Sequence, residues 1–245
     1  MERNKIIVVI GGNRGIGAAI VVALLDHGFR VACLSRKGEA PEGLAEDCAQ
    51  RCISLRCDVT DAASIREAFV QASGHGEIGG MVNSAGIHAM GPSHSFTPDQ
   101  FLVVLQTNAV GMFSACQEIH PYLAGKKGAL IVNIGSFFDK LGVPGNAAYC
   151  ASKAAVGAVT RCLAVEWAPL NIRVVNVAPG YIDTDMARAQ MGDESFRKYL
   201  ARRIPGGSIG APEDVGDLVG AMFANDIRFL TGETIYVDGA QSIAH

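Results

Sequence analysis

The apolar run Ile6–Ile10 breaks directly into Gly11-Gly12-Asn13-Arg14-Gly15-Ile16-Gly17, and a helical pattern then runs from Gly15 to His27. No other feature constrains the chain as much. A strand that is apolar at every position is buried on both faces, which is the situation of a parallel sheet. Glycines between such a strand and a helix suit a tight turn, over which an anion meets the unmade N–H groups of the helix start. The spacing is G-x-x-x-G-x-G rather than the commoner G-x-G-x-x-G, and the anion it suits is the pyrophosphate of a dinucleotide. The same alternation continues. Val31–Leu34, Ile53–Cys57, Met81–Val82, Leu130–Ile134, Ile172–Val177 and Thr234–Val237 read as strands. Between them lie a short helix around Leu44–Gln50, a helix Asp61–Ser73 capped by Thr60 or Asp61, one or two helices over Pro98–Leu123, and a long helix Ala147–Ala168. Gly28 is placed to end the first helix. Alternation of this kind predicts an α/β fold: one doubly wound, seven-stranded parallel sheet, covered by helices on both faces. No linker or repeat divides residues 1–245, so one domain is expected.

Composition excludes several classes. An apolar content of 49% with only 18% charged residues implies a large core and little disorder. A net charge of −3 and 7% aromatic residues give no nucleic-acid footprint. The five-residue apolar run near the start is short for a signal peptide, and no stretch is long enough to span a bilayer. A cytoplasmic protein without membrane or nucleic-acid partners is expected. The seven cysteines and six histidines are scattered without ligand spacing, so no metal site is implied. Cys150, beside Tyr149, is the thiol to watch for oxidation.

Tyr149 and Lys153 stand four apart on the long helix, so phenol and ammonium share a face. Burial raises a phenol's pKa and a fixed cation lowers it. Bringing it from about 10 to about 7 takes roughly 4 kcal/mol, which only a cation in a partly dry cleft supplies. Taken alone, the spacing also describes a packed aromatic beside a snorkelling lysine. At the end of the second strand, where an acidic residue would bond a ribose 2′-OH, the chain has Ser35-Arg36-Lys37, with Arg14 in the glycine turn. These cations suit a 2′-phosphate and so NADP(H). The plain alternative is a solvated basic loop.

Gly11-x-x-x-Gly15-Ile16-Gly17, Asn83-Ser84-Ala85-Gly86, Asn108, Ser136, Tyr149-x-x-x-Lys153, Pro179-Gly180 and Thr184 together resemble the short-chain dehydrogenase/reductase family, in order and over essentially the whole chain. Within it the chain is similar to the 3-oxoacyl-(acyl carrier protein) reductases and related carbonyl reductases. The resemblance implies a Rossmann fold. It implies that Tyr149 protonates the substrate oxygen, that Lys153 lowers the Tyr149 pKa and binds the nicotinamide ribose, and that Ser136 orients the carbonyl. Asn108 would hold a water that links Lys153 to solvent. Gly11, Asn13, Arg14, Gly15, Ile16 and Gly17 would take the pyrophosphate, and Ser35, Arg36 and Lys37 the ribose phosphate. Asp58 and Val59 would meet the adenine. Asn83, Ser84, Ala85 and Gly86 would run along the cofactor, and Pro179, Gly180, Ile182 and Thr184 would meet the nicotinamide. Phe137, Phe138, Leu141, Val143, Tyr181 and Met186 would line the substrate pocket, with 186–206 as a lid.

Three departures stand out. Ser84 replaces the family's usual Asn. Asn176 sits one residue later than the usual Asn of the sixth strand, which turns its side chain to the other face. Lys126 and Lys127 fit a carrier-protein contact but Leu170 does not, which puts carrier docking in doubt. The expected activity is hydride transfer to a ketone, possibly a 3-oxoacyl thioester, by a homotetramer. Two alternatives stay open: a secondary-alcohol dehydrogenase working oxidatively, and a non-catalytic dinucleotide-binding regulator.

Overall fold

Seven strands pair in the order β3-β2-β1-β4-β5-β6-β7. They are β1 (Ile6–Ile10), β2 (Arg30–Ser35), β3 (Cys52–Arg56), β4 (Ile78–Asn83), β5 (Ala129–Ile134), β6 (Ile172–Pro179) and β7 (Thr234–Val237). Every pairing is parallel. The computed structural model describes residues 1–185, 199–200, 202–225 and 227–244. Met186 and most of the expected lid lie outside them.

The helices are α1 (Gly15–Asp26), α2 (Glu46–Ala49), α3 (Ala62–Gly74), α4 (Pro98–Leu105), α5 (Gly111–Leu123), α6 (Ala147–Trp167) and α7 (Pro212–Ala224). Their ends follow from local chemistry. Gly28 closes α1 at φ 85°; its N–H donates to Leu25 and that of Phe29 to Leu24, the bond pair of a left-handed C-terminal cap. Asp61, one of the two expected caps, accepts from Ala63 N at the start of α3. Thr97 and Gln100 cap α4 reciprocally. The stretch 98–123 is two helices, because residues Gln106–Val110 form a π turn between α4 and α5.

Helix α7 is not anticipated by the sequence analysis. Pro212 in its first turn, acids at 213 and 214, and Val215, Val219 and Met222 on one face are helix signals, but Gly216 and Gly220 break the pattern. Those glycines serve close approach. A Cβ on Gly216 would stand 2.8 Å from the Ala19 carbonyl oxygen, and one on Gly220 3.1 Å from Ala23 Cβ, both on α1.

The sheet is buried between two apolar layers. Ile6, Val8 and Ile10 of β1 face α3, α5 and α6; Ile7 and Val9 face α1, α2 and α7. Among the described residues no helix is long and apolar enough to cross a membrane. Since β4 returns to pair beside β1 after the chain has wound outward to β3, the switch point and its crevice lie at the carboxyl ends of β1 and β4.

Asn176 shows what the one-residue shift does. It faces the α6 side with Val174, in register with Asn133 of β5 and Thr234 of β7. Its Nδ2 donates to Thr234 Oγ1 at 3.1 Å.

Candidate active site

The first turns of α6 lie over the carboxyl end of β5, bringing Tyr149 and Lys153 to Ser136. Ser136 Oγ caps the short 3₁₀ turn Phe137–Asp139, accepting from Phe138 N at 3.3 Å, and lies close enough to the Tyr149 phenol to favour its ionised form. Lys153, 6% exposed, donates from Nζ to the Ile134 carbonyl at 2.8 Å. Nζ is 5.6 Å from the centroid of the Tyr149 ring.

Electrostatically the site departs from the expectation that Lys153 lowers the Tyr149 pKa. Burial pushes the Tyr149 phenol up to about 12, against the lowering effect of Ser136. Burial also brings the Lys153 ammonium down to about 8. Desolvation disfavours both charged forms. At neutral pH the pair is therefore a phenol beside an ammonium.

Asn108 sits in the π turn, an element that recurs where a side chain must be re-aimed at a functional site. It is 2% exposed. Its Oδ1 accepts from Ile87 N at 2.8 Å, and its Nδ2 donates to Ile87 O at 2.9 Å and to Ser152 Oγ at 3.1 Å. Ser152 Oγ in turn donates to the Tyr149 carbonyl at 2.7 Å. Gly86 packs close to both Asn108 and Lys153: an added Cβ would stand 3.3 Å from Asn108 Oδ1 and 3.8 Å from Lys153 Nζ.

The residues at the glycine turn fit a dinucleotide. Arg14 occupies the position before α1 without a side-chain cap, so the first N–H groups of the helix remain for an anion. Gly11 has φ 77°, and a Cβ there would stand 2.7 Å from Ala85 N, which brings the turn against the Ser84–Ala85 backbone. Across the groove, a Cβ on Gly15 would stand 3.4 Å from the Thr184 methyl group. Ile182 bridges to Gly210 and holds that segment in place, while Gly180 N donates to Val237 O.

Arg14, Arg36 and Lys37 are exposed at this end of the sheet and Ser35 is buried, its Oγ accepting from Glu39 N at 3.0 Å. Asp58 is held below the usual carboxylate range by two bonds from Thr60, with Arg36 and Arg56 assisting. Val59 packs on Gly111. Asn83 turns inward: its Nδ2 donates to Asn133 Oδ1 at 2.8 Å and to Cys116 Sγ at 3.4 Å, so only its backbone follows the groove.

The expected substrate wall is largely packed. Phe137 and Phe138 are buried, edge-on to Tyr181 at 5.3 and 6.0 Å, and Phe138 stands edge-on to Tyr149 at 5.9 Å. Leu141 and Val143 are half-buried in the following loop. Three residues were given no role by sequence reasoning. Arg56 lies in register with Ser35 across β2 and β3; its position two residues before Asp58 was the available signal. His88 and Asn146 join the Tyr149 surroundings through a contact that no spacing announces.

A parallel sheet with an uncapped glycine turn at its switch point, and a Ser–Tyr–Lys group beside it, defines a dinucleotide-binding oxidoreductase. The chain belongs to the short-chain dehydrogenase/reductase family, whose members use nicotinamide dinucleotides. The family model described as enoyl-(acyl carrier protein) reductase matches residues 10–240. The chain is 34% identical to the 3-oxoacyl-[acyl-carrier-protein] reductase MabA of Mycobacterium tuberculosis, over 99% of this chain and 94% of that one. It is 36% identical to carbonyl reductase family member 4 of Danio rerio, over 96% and 97%. A short-chain type dehydrogenase/reductase from Mycobacterium marinum superposes with a TM-score of 0.91 at 28% identity, covering 99% of this chain and 98% of that structure.

Proposed function

We propose that the protein is a cytoplasmic NADPH-dependent reductase that converts a ketone carbonyl, in a 3-oxoacyl thioester or a similar apolar ketone, into a secondary alcohol. The observation that carries this reading is that Ser136 lies against the Tyr149 phenol and favours its ionised form, with Lys153 one helical turn away and anchored on the Ile134 carbonyl. When bound, the nicotinamide supplies a hydride to the carbonyl carbon. Ser136 Oγ donates to the carbonyl oxygen and stabilises its developing charge. Tyr149, a neutral phenol at working pH, passes its proton to that oxygen. Lys153 steadies the phenolate left behind, and a water held near Asn108 returns the proton through Lys153.

Arg14, Arg36 and Lys37, joined by Arg56, support NADPH over NADH, since a 2′-phosphate is recognised by converging cations. The reading leaves out carrier-protein docking, because Lys126 is paired with Glu77 at 3.4 Å and Leu170 is apolar. It includes a homotetramer, supported by exposed Leu102, Val103, Val110 and Phe113 along 102–113 and Val165 on α6.

The test follows absorbance at 340 nm with NADPH and NADH in parallel, against free ketones and acetoacetyl-CoA. Turnover with NADPH and its loss in Tyr149→Phe are expected. Turnover by Tyr149→Phe at the wild-type rate would sink the acid assignment, and an NADH preference the cofactor assignment. Light scattering after gel filtration checks the tetramer.

A further inference from the structure

We infer that His88 is a positioning residue for Tyr149: a hydrogen bond to Asn146 locks its imidazole, which holds the phenol ring edge-on in the orientation that delivers the proton. The inference rests on the reading of Tyr149 as the acid.

His88 lies two residues beyond Gly86, in the loop that leaves β4. Its Nε2 is 2.6 Å from Asn146 Oδ1, and its ring meets the Tyr149 ring at 4.7 Å between centroids and 82° between planes. The proton on this bond is assigned by its neighbours. Asn146 Nδ2 donates to the Pro144 carbonyl at 2.9 Å, so its amide nitrogen faces that oxygen and its Oδ1 faces His88. An amide oxygen only accepts; Nε2 therefore carries the hydrogen, in the neutral ring as in the cation.

The lock is anchored on both sides. Asn146, 4% exposed, stands directly before α6, and Gly91 N donates to Gly145 O at 2.9 Å. Two bonds thus tie the 84–91 loop to the 140–146 loop, so the wall carrying His88 and the helix carrying Tyr149 move together. Tyr149 also meets the Phe138 ring edge-to-face at 5.9 Å. The phenol ring thus contacts an imidazole and a phenyl, each contact worth only about 0.5–1.5 kcal/mol. Catalysis is more sensitive than stability to their loss, because a displacement near 1 Å at a reacting group costs on the order of 100-fold in rate.

The experiment compares His88→Ala, His88→Gln and His88→Phe with the parent and with Tyr149→Phe, reading kcat and KM separately. In His88→Ala, kcat falls about tenfold or more while KM for NADPH stays within about twofold. His88→Gln, whose amide N–H reaches Asn146 Oδ1, recovers most of that loss; His88→Phe, which keeps a ring and loses the bond, does not. A second readout needs no turnover. Long-range proton–nitrogen spectra of the cofactor-free protein place the His88 proton on Nε2, and Asn146→Ala shifts that signal. Wild-type kcat in His88→Ala, or a proton found on Nδ1, overturns the inference. Full turnover in Tyr149→Phe instead overturns the acid reading beneath it, which separates the two failures.

Discussion

Lys153 Nζ stands 2.8 Å from the carbonyl oxygen of Ile134, which anchors the ammonium at the end of β5 while it lies 5.6 Å from the centroid of the Tyr149 ring. One carbonyl does not replace the water that burial removed, which is why the Lys153 pKa falls to about 8. Below that pH the site holds a cation, and above it a neutral amine that no longer steadies a phenolate. Since kcat/KM reports the free enzyme, its value for NADPH should fall as pH rises through about 8. The phenol, at about 12, adds no limb below that. In Lys153→Arg, whose guanidinium does not titrate, the residual activity should lose the limb near 8. A profile flat to pH 10 in the parent would contradict this account.

Stability should fail on the alkaline side. Burial pushes the thiols of Cys57 and Cys116 up to about 12, whereas an unfolded thiol titrates near 8.5. A group whose folded pKa is raised contributes stability that is complete below the unfolded value and lost as pH climbs toward the folded one. Lys153 acts in the opposite sense, gaining stability between about 8 and the unfolded lysine value of about 10.4. Two thiols outweigh one ammonium, so the urea midpoint should drop between pH 9 and 11. Cys116→Ala should flatten that decline.

Gly17 is the tightest point of the turn. An added Cβ would stand 2.0 Å from the Gly11 carbonyl oxygen, a backbone atom that yields only if the whole turn shifts. Gly17→Ala should weaken NADPH binding, followed by fluorescence titration, at least tenfold, and lower the melting temperature. The control is Gly74→Ala on α3, where an added Cβ meets nothing within 4 Å. It should gain about 0.4–1 kcal/mol through the unfolded chain.

What the sequence made legible is what repeats or is spaced. Ile6–Ile10 and Thr234–Val237 are strands with the expected bounds, and the other five differ only at their ends, because unbroken Val/Ile runs have few alternatives to a buried parallel strand. That Ser136, Tyr149 and Lys153 come together was legible because they stand at fixed positions at the end of β5 and the start of the helix that follows it. Helix α7 was hidden because Gly216 and Gly220 lower helix propensity, while their purpose is contact with Ala19 and Ala23 some 200 residues earlier. The His88–Asn146 bond spans 58 residues and leaves no periodic trace. Phe137 and Phe138 read as pocket walls by position; only the packing shows their rings spent on Tyr149 and Tyr181.

The register of the buried asparagines gives the sharpest stability test. Asn133 and Asn176 are adjacent on β5 and β6, both 0% exposed. Asn133 is satisfied at both ends: Oδ1 accepts from Asn83 and Nδ2 donates to Thr160 Oγ1 at 2.9 Å. Asn176 donates to Thr234, but its Oδ1 has no hydrogen-bond partner among the described residues. Removing Asn133 strands two buried partners, each costing about 1–3 kcal/mol. Removing Asn176 deletes one bond together with an orphaned carbonyl, and the two effects offset. Asn133→Val should therefore cost about 2–4 kcal/mol and Asn176→Val no more than about 1 kcal/mol, read from urea midpoints at unchanged slope. Equal costs would mean that the Asn176 carbonyl is satisfied after all, and that the shifted asparagine holds β6 as firmly as Asn133 holds β5.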